Sequence, residues 1–132
     1  MVLLDTHVLL WWFADEGRLS RRAAREIAKA DTVLVSAVSI WEIATLLRRG
    51  RIALDSDVYV WIADLLREDH IAMAPLSAQA ALDAGLLPDD FPGDPADRLL
   101  YATAQELIVP MVTKDMKIRS YAAHATGVTA IW

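Results

Sequence analysis

Cysteine is absent from the chain. Neither a disulfide nor a thiolate metal site can hold it together, zinc-ribbon readings fall away, and a reducing cytoplasm is the natural setting. Long apolar runs are missing too. The longest covers residues 8–14, flanked by His7 and by Asp15-Glu16, far short of the roughly 20 residues that a membrane span requires. A soluble protein with no membrane role is expected. The start, Met1-Val2-Leu3-Leu4-Asp5, has no basic lead-in and no small-residue cleavage site, so it does not read as a signal peptide, and the fold is expected to begin where the chain begins. Several catalytic signatures are also lacking. His7, His70 and His124 show no H-E-x-x-H spacing, and neither a G-x-S-x-G elbow nor a G-x-x-x-x-G-K-[ST] phosphate loop occurs, which leaves little for a nucleophilic triad or a nucleotide hydrolase.

What is present is enough for one core. Of 132 residues, 55% are apolar, which suits a single domain spanning residues 1–132. The formal net charge of -5 works against binding a polyanion, because a negative protein repels phosphates and gains little from counterion release. Bound divalent cations would invert that field locally, and the arginines at 18, 21, 22, 25, 48, 49, 51, 67 and 98 offer positive ground around them. The alternative for any one arginine is a solvated helix face.

Apolar periodicity predicts strands at 2–4, 32–35, 71–74, 111–113 and 129–131. Helices are predicted at 7–14, at 21–29 behind Ser20 with Ala23, Ala24, Ile27 and Ala28 inward, and at 37–49 before Gly50. Further helices are predicted at 55–67, 77–84, 94–107 and 115–120, with a loop at 86–93. Strands alternating with helices imply an α/β fold: a mainly parallel sheet of four or five strands with helices on both faces. In such sheets ligands bind at the carboxyl ends of the strands.

Four segments bring acids towards that rim. Asp5 ends the first strand, Glu42 lies within the helix after the second, Asp94 and Asp97 open the helix before the fourth, and Asp115 follows the fourth. Crowded carboxylates repel and raise one another's pKa unless a cation neutralises them. Mg²⁺ or Mn²⁺ prefers oxygen ligands and keeps several waters, which suits a set without Cys. Each acid also has a structural reading. Asp5 and Asp115 serve equally as N-caps, and Asp94-Pro95-Ala96-Asp97 is a good helix start. Ser39-Ile40-Trp41-Glu42 reads as a capping box, whereas a helix starting at Ser36 places Glu42 among apolar neighbours. His7 reads as a structural residue outside the site.

Leu3-Leu4-Asp5-Thr6-His7, Ser39-Ile40-Trp41-Glu42-Ile43, Asp94-Pro95-Ala96-Asp97-Arg98-Leu99-Leu100 and Val112-Thr113-Lys114-Asp115, in this order and at these distances, resemble the PIN-domain ribonucleases. In particular they resemble the VapC toxins of bacterial type II toxin–antitoxin pairs, and the resemblance runs along the whole chain. It implies a PIN-like three-layer fold and an acidic active site at Asp5, Glu42, Asp97 and Asp115. Asp5 and Asp97 would be the main metal ligands, often through water, with Glu42 and Asp115 holding the metal and the attacking water. Asp94 leans towards a cap, and Thr113 stands where the family commonly has a hydroxyl near the metal. The resemblance further implies RNA as substrate, Mg²⁺ or Mn²⁺ as cofactor, a homodimer, and inhibition by a small VapB-like antitoxin. That antitoxin would dock an amphipathic helix and reach the acids with an arginine.

Val8-Leu9-Leu10-Trp11-Trp12-Phe13 has too many large apolar residues for a face turned to water, so Trp11 and Trp12 are either core or partner surface. Arg98 is placed to pair with a site carboxylate or to contact phosphate. Three functions remain open: a toxin endoribonuclease, a binding module that keeps the fold without cutting, and a PIN nuclease of RNA processing.

Overall fold

The computed structural model describes residues 1–125 and 127–132, with the backbone alone at Glu16. The elements run β1 (Val2–Leu4), α1 (Thr6–Ala14), a 3₁₀ turn (Glu16–Arg18), α2 (Arg21–Lys29), β2 (Val33–Ser36), α3 (Ala37–Arg48) and α4 (Val58–Leu65). They continue with β3 (Ile71–Ala74), α5 (Ala78–Leu86), α6 (Pro95–Leu107), β4 (Met111–Val112), α7 (Met116–His124) and β5 (Ala130–Ile131). The five strands lie in the order β3-β2-β1-β4-β5, and each neighbouring pair is parallel.

Alternation along the strands divides the core into two halves. Val2 and Leu4 of β1 and Val33 and Val35 of β2 pack with Val8, Leu9, Ala23 and Ile27 of α1 and α2. Leu3, Leu34 and Met111 point the other way, onto Leu100, Tyr101 and Ile118 of α6 and α7. Successive strand side chains face opposite sides, so a sheet with apolar residues at every position must be covered twice. The result is the three-layer α/β arrangement expected from the sequence.

Local signals set most helix starts. Ser20, Ser36 and Ser77 each accept a hydrogen bond from a backbone N–H of the helix they precede, at 3.0, 3.0 and 2.9 Å, which satisfies donors that the helix itself cannot. Three expectations need correction. In α2 only Ala23 and Ile27 are buried, whereas Ala24 and Ala28 are exposed, because each lies about 100° further round the helix than its buried neighbour. The helix expected at 55–67 is shorter, starting at Val58 behind the cap Asp57. The helix expected at 115–120 runs on to His124, since Ile118 and Ala122 share one buried stripe.

The chain leaves β1 for β2 and β3 on one side and returns to β4 and β5 on the other. This reversal opens a crevice at the carboxyl ends of β1 and β4, where open α/β sheets bind ligands. Among the described residues, no helix is long and apolar enough to cross a membrane.

Candidate active site

Asp5 is the pivot of the crevice. It caps α1 in an extended conformation and is only 9% exposed. Its Oδ1 accepts from the Thr6 N–H at 2.7 Å, and its Oδ2 from the Thr113 hydroxyl at 2.6 Å. Thr113 is fully buried, and its Oγ1 accepts in turn from the Asp115 N–H at 3.1 Å. One hydroxyl thus ties the end of β1 to the residue that caps α7. The expectation of a hydroxyl contact at Thr113 now has an atom: it orients Asp5.

Glu42 arrives from α3. Ser36 caps that helix, so Ser39 lies inside it and the capping-box reading of residues 39–42 does not apply. Half-buried Glu42 accepts from the Thr6 hydroxyl at 2.6 Å, and Thr6 Oγ1 also lies 3.0 Å from Ser39 Oγ. At the start of α6, Asp94 Oδ1 accepts from the Asp97 N–H at 2.9 Å, and Asp97 Oδ2 from the Asp94 N–H at 3.0 Å, a reciprocal capping box. Asp115 Oδ1 caps α7 by accepting from the N–H groups of Lys117 and Ile118 at 2.8 and 3.1 Å.

Asp5, Glu42, Asp94, Asp97 and Asp115 line one cavity of about 320 Å³. All four sequence-predicted site residues are therefore brought together, and Asp94 with them. Cap and ligand are compatible roles, because each cap engages one oxygen. Among the described hydrogen bonds, Asp94 Oδ2, Asp97 Oδ1, Asp115 Oδ2 and Glu42 Oε2 have no partner. The caps also direct the N-termini of α1, α6 and α7 at the same space, where their exposed N–H dipoles favour anions.

Burial and crowding both disfavour the charged carboxylates. Burial raises the Asp5 carboxyl above its ordinary value, against the hydrogen bonds from Thr113 and Thr6. Burial likewise raises Glu42, helped by repulsion from Asp94 and Asp5. Asp97 is pushed up to about 7 by burial first and then by the charges of Asp94 and Asp5. A divalent cation would relieve all three. Among the described residues no three acid or histidine side chains stand so as to hold a metal ion between them. Mg²⁺ or Mn²⁺ retains waters and takes one or two protein carboxylates, and the fit to a hard divalent ion rests on the carboxylate oxygens that line the cavity.

Three residues at the cavity edge were not placed there from the sequence: His7, Trp11 and Lys114. His7, read from sequence as structural and outside the site, is exposed, and its ring centre lies 5.9 Å from that of Trp11. Lys114 Nζ lies 5.3 Å from the Trp11 ring centre, and the Arg18 guanidinium 5.4 Å. The only available signal was adjacency: His7 is two residues past Asp5, and Lys114 directly precedes Asp115. The two tryptophans part company, for Trp12 packs against the core while Trp11 borders the acids. For Arg98 the sequence left open a carboxylate or a phosphate as partner, and among the described residues no carboxylate pairs with it. It donates to the carbonyls of Leu87, Pro88 and Ala84 at 2.8, 2.9 and 3.3 Å, fastening the loop that leads to Asp94.

The chain matches the PIN domain family over residues 2–124. It belongs to that family. It is 44% identical over 131 residues, 99% of this chain and 98% of the other, to Ribonuclease VapC22 of Mycobacterium tuberculosis. Several solved structures share the fold. VapC20 of M. tuberculosis, described as a sarcin-ricin loop cleaving toxin, matches with a TM-score of 0.67 at 18% identity, covering 92% of this chain and 95% of that one. VapBC2 of Rickettsia felis, bound to a DNA fragment from its promoter, matches with a TM-score of 0.68 at 13% identity over 100% of both chains.

The raised carboxyls of this PIN domain make its metal-free stability depend on pH. A carboxyl whose pKa is higher when folded stabilises the fold fully below its unfolded value, and that stability is lost as pH rises through the folded value, about 7 for Asp97. In EDTA the melting temperature is therefore expected to rise as pH is lowered from about 8 to about 5. Added Mg²⁺ should raise it most at the alkaline end, where the carboxylates are charged. Thermal melts with and without metal check this; a metal-free melting temperature that falls on acidification over that window contradicts it.

Proposed function

We propose that this chain is the toxin of a type II toxin–antitoxin pair, a Mg²⁺- or Mn²⁺-dependent endoribonuclease built as one PIN domain over residues 1–132 and working in the cytoplasm. The observation that carries the reading is the convergence of five carboxylates from four separate segments on one cavity, four of them with an oxygen that has no partner among the described hydrogen bonds. The 44% identity to a ribonuclease over nearly the whole chain supports it.

In this reading Asp5 and Asp97 hold the metal, Asp5 oriented by Thr113 and Asp97 by the α6 capping box. Glu42 Oε2 and Asp115 Oδ2 are free to accept hydrogens from the attacking water and align it with the phosphorus. The helix N-termini of α1, α6 and α7, with Lys114 beside them, offset the phosphate's charge. When bound, the divalent ion supplies Lewis-acid polarisation of the phosphate and lowers the pKa of its water.

Partners follow from exposed apolar surface and from the relatives. Trp41, 63% exposed, joins Leu76, Pro95 and Leu99 in an apolar groove of about 360 Å³, with Leu82 and Leu86 also exposed. Such a face suits a second copy of the chain. A small VapB-like antitoxin is the second partner, in keeping with the toxin–antitoxin complex from Klebsiella pneumoniae, which shares the fold with a TM-score of 0.65 at 19% identity over 98% of this chain and 96% of that one.

The deciding experiment incubates purified, antitoxin-free protein with total cellular RNA in Mg²⁺, in Mn²⁺ and in EDTA. Discrete fragments that form only with metal are expected, and their ends name the target. Well-folded protein that cuts nothing with either ion contradicts the nuclease reading and leaves a binding module.

A further inference from the structure

A second depression, of about 390 Å³, opens beside the acids and shares Glu42 and Asp94 with them. Its other wall carries Arg48, Arg49 and Arg51. The grouping is built by the fold. Thr45, Leu46 and Arg49 follow Glu42 at i+3, i+4 and i+7, so one face of α3 runs from the acid to the arginine, about 10 Å along the axis. The helix then closes in a Schellman turn. Gly50, at φ +69, donates to the Leu47 carbonyl at 3.0 Å, and Arg51 donates to the Leu46 carbonyl at 2.9 Å. This turn folds Arg51 back beside the helix it has just left.

All three guanidinium side chains are exposed. The two ion pairs found among the described residues, Lys29–Glu26 and Arg67–Asp64, involve none of them. Favourable interaction with the helix dipole accounts for charges in the last turn, but not for Arg51, which lies beyond it. In a protein of net charge -5, three adjacent cations continuous with an acidic cavity are matched to a polyanion that must enter that cavity. The guanidinium fork suits phosphate oxygens in particular.

We infer that Arg48, Arg49 and Arg51 form a phosphate-binding subsite that grips the RNA strand on the α3 side of the bond to be cut. The inference rests on the nuclease reading and adds a direction to it: the strand leaves the acids past Glu42 and runs along the end of α3. These are positioning residues. They hold flanking phosphates and leave the chemistry to the carboxylates.

The test compares R48Q/R49Q/R51Q with R21Q/R22Q/R25Q, which removes the same charge from the exposed face of α2. Binding of a labelled RNA is measured over a range of salt concentrations with Asp97→Asn added to every protein so that the strand stays intact, and cleavage kinetics in Mg²⁺ are followed with the Asp97 proteins alongside. Each phosphate contact to a single strand contributes about 0.7 to the slope of log K against log salt, so the α3 triple variant should lose about 2 from the slope and about tenfold to a hundredfold in affinity near 0.1 M salt. KM should rise while kcat stays within about threefold, and the α2 triple variant should change affinity by no more than about twofold. An unchanged slope, equal losses in both variants, or a loss confined to antitoxin affinity overturns the subsite. Metal-dependent cleavage by the unaltered chain, abolished in Asp97→Asn, keeps the nuclease reading standing in each of those cases, whereas absence of any cleavage sinks that reading itself.

Discussion

Replacing Asp97 by Asn is expected to lower metal-dependent cleavage roughly a thousandfold, equivalent to about 4 kcal/mol of transition-state stabilisation, while leaving the fold at least as stable. Activity and stability separate here because Asp97 does two things with two oxygens. Oδ2 accepts the Asp94 N–H at 3.0 Å, and an asparagine oxygen accepts the same bond, so the start of α6 survives. Oδ1 has no partner among the described hydrogen bonds, and burial and the charges of Asp94 and Asp5 oppose the negative charge of the carboxylate. Removing that anion relieves the metal-free protein and takes away a metal ligand at once. In EDTA near pH 8 the variant should melt at or above the unaltered protein's temperature, its dependence on pH should shrink, and added Mg²⁺ should raise its melting temperature less. A folded variant that keeps activity within about tenfold would remove Asp97 from the mechanism.

Replacing Gly93 by Ala is expected to destabilise the chain by about 1–3 kcal/mol and to cut activity about a hundredfold, although it adds only a methyl group and removes no charge or hydrogen-bonding group. A Cβ at this position would lie 2.4 Å from Asp97 Cβ and 2.7 Å from Phe91 Cε1. Neither neighbour can retreat. Asp97 Cβ is fixed to the α6 backbone, and buried Phe91 is held edge-on by Tyr101 and Tyr121, with ring centres 5.2 and 5.0 Å away. The strain must move the first turn of α6, and with it both Asp94 and Asp97. Gly85→Ala is the contrast, because nothing lies within 4 Å of its added Cβ and alanine favours the last turn of α5, where Gly85 lies, by up to about 1 kcal/mol. Melting temperature, metal-induced stabilisation and cleavage should fall in the first variant, and melting temperature should rise in the second. Equal behaviour of the two would show that the close approach at Gly93 does not matter.

The site was legible where chemistry and local structure share a short segment. Asp5 ends an apolar run, Asp94-Pro95 opens a helix, and Asp115 follows a strand, so alternation of elements alone places these acids at one edge of a parallel sheet. Glu42 was less secure, because Ser39 and Ser36 both offered a helix start and only one buries Ser39. The role of Arg98 stayed open for a related reason. Its place in the motif permitted a carboxylate or a phosphate as partner, whereas it donates to the carbonyls of Ala84 in α5 and of Leu87 and Pro88 just beyond it. Nothing in a linear pattern announces which loop will pass over a side chain. Lys114 and His7 were legible only as neighbours of acids in the chain, and Trp11 only as half of an apolar pair.

By itself the amino-acid sequence determined the order of strands and helices, the serine and aspartate caps, and the stock of carboxylates that resembles a PIN-domain site. These rest on periodicity and on hydrogen bonds within a few residues. Only the tertiary structure decided what those carboxylates experience. The hydroxyl that orients Asp5 comes from Thr113, 108 residues away, and the one that holds Glu42 comes from Thr6, 36 residues away. Burial lifts the Asp97 carboxyl to about 7, and a Schellman turn sets Arg51 beside the acids. Desolvation and charge repulsion depend on distances through space, and those exist only once distant segments have packed.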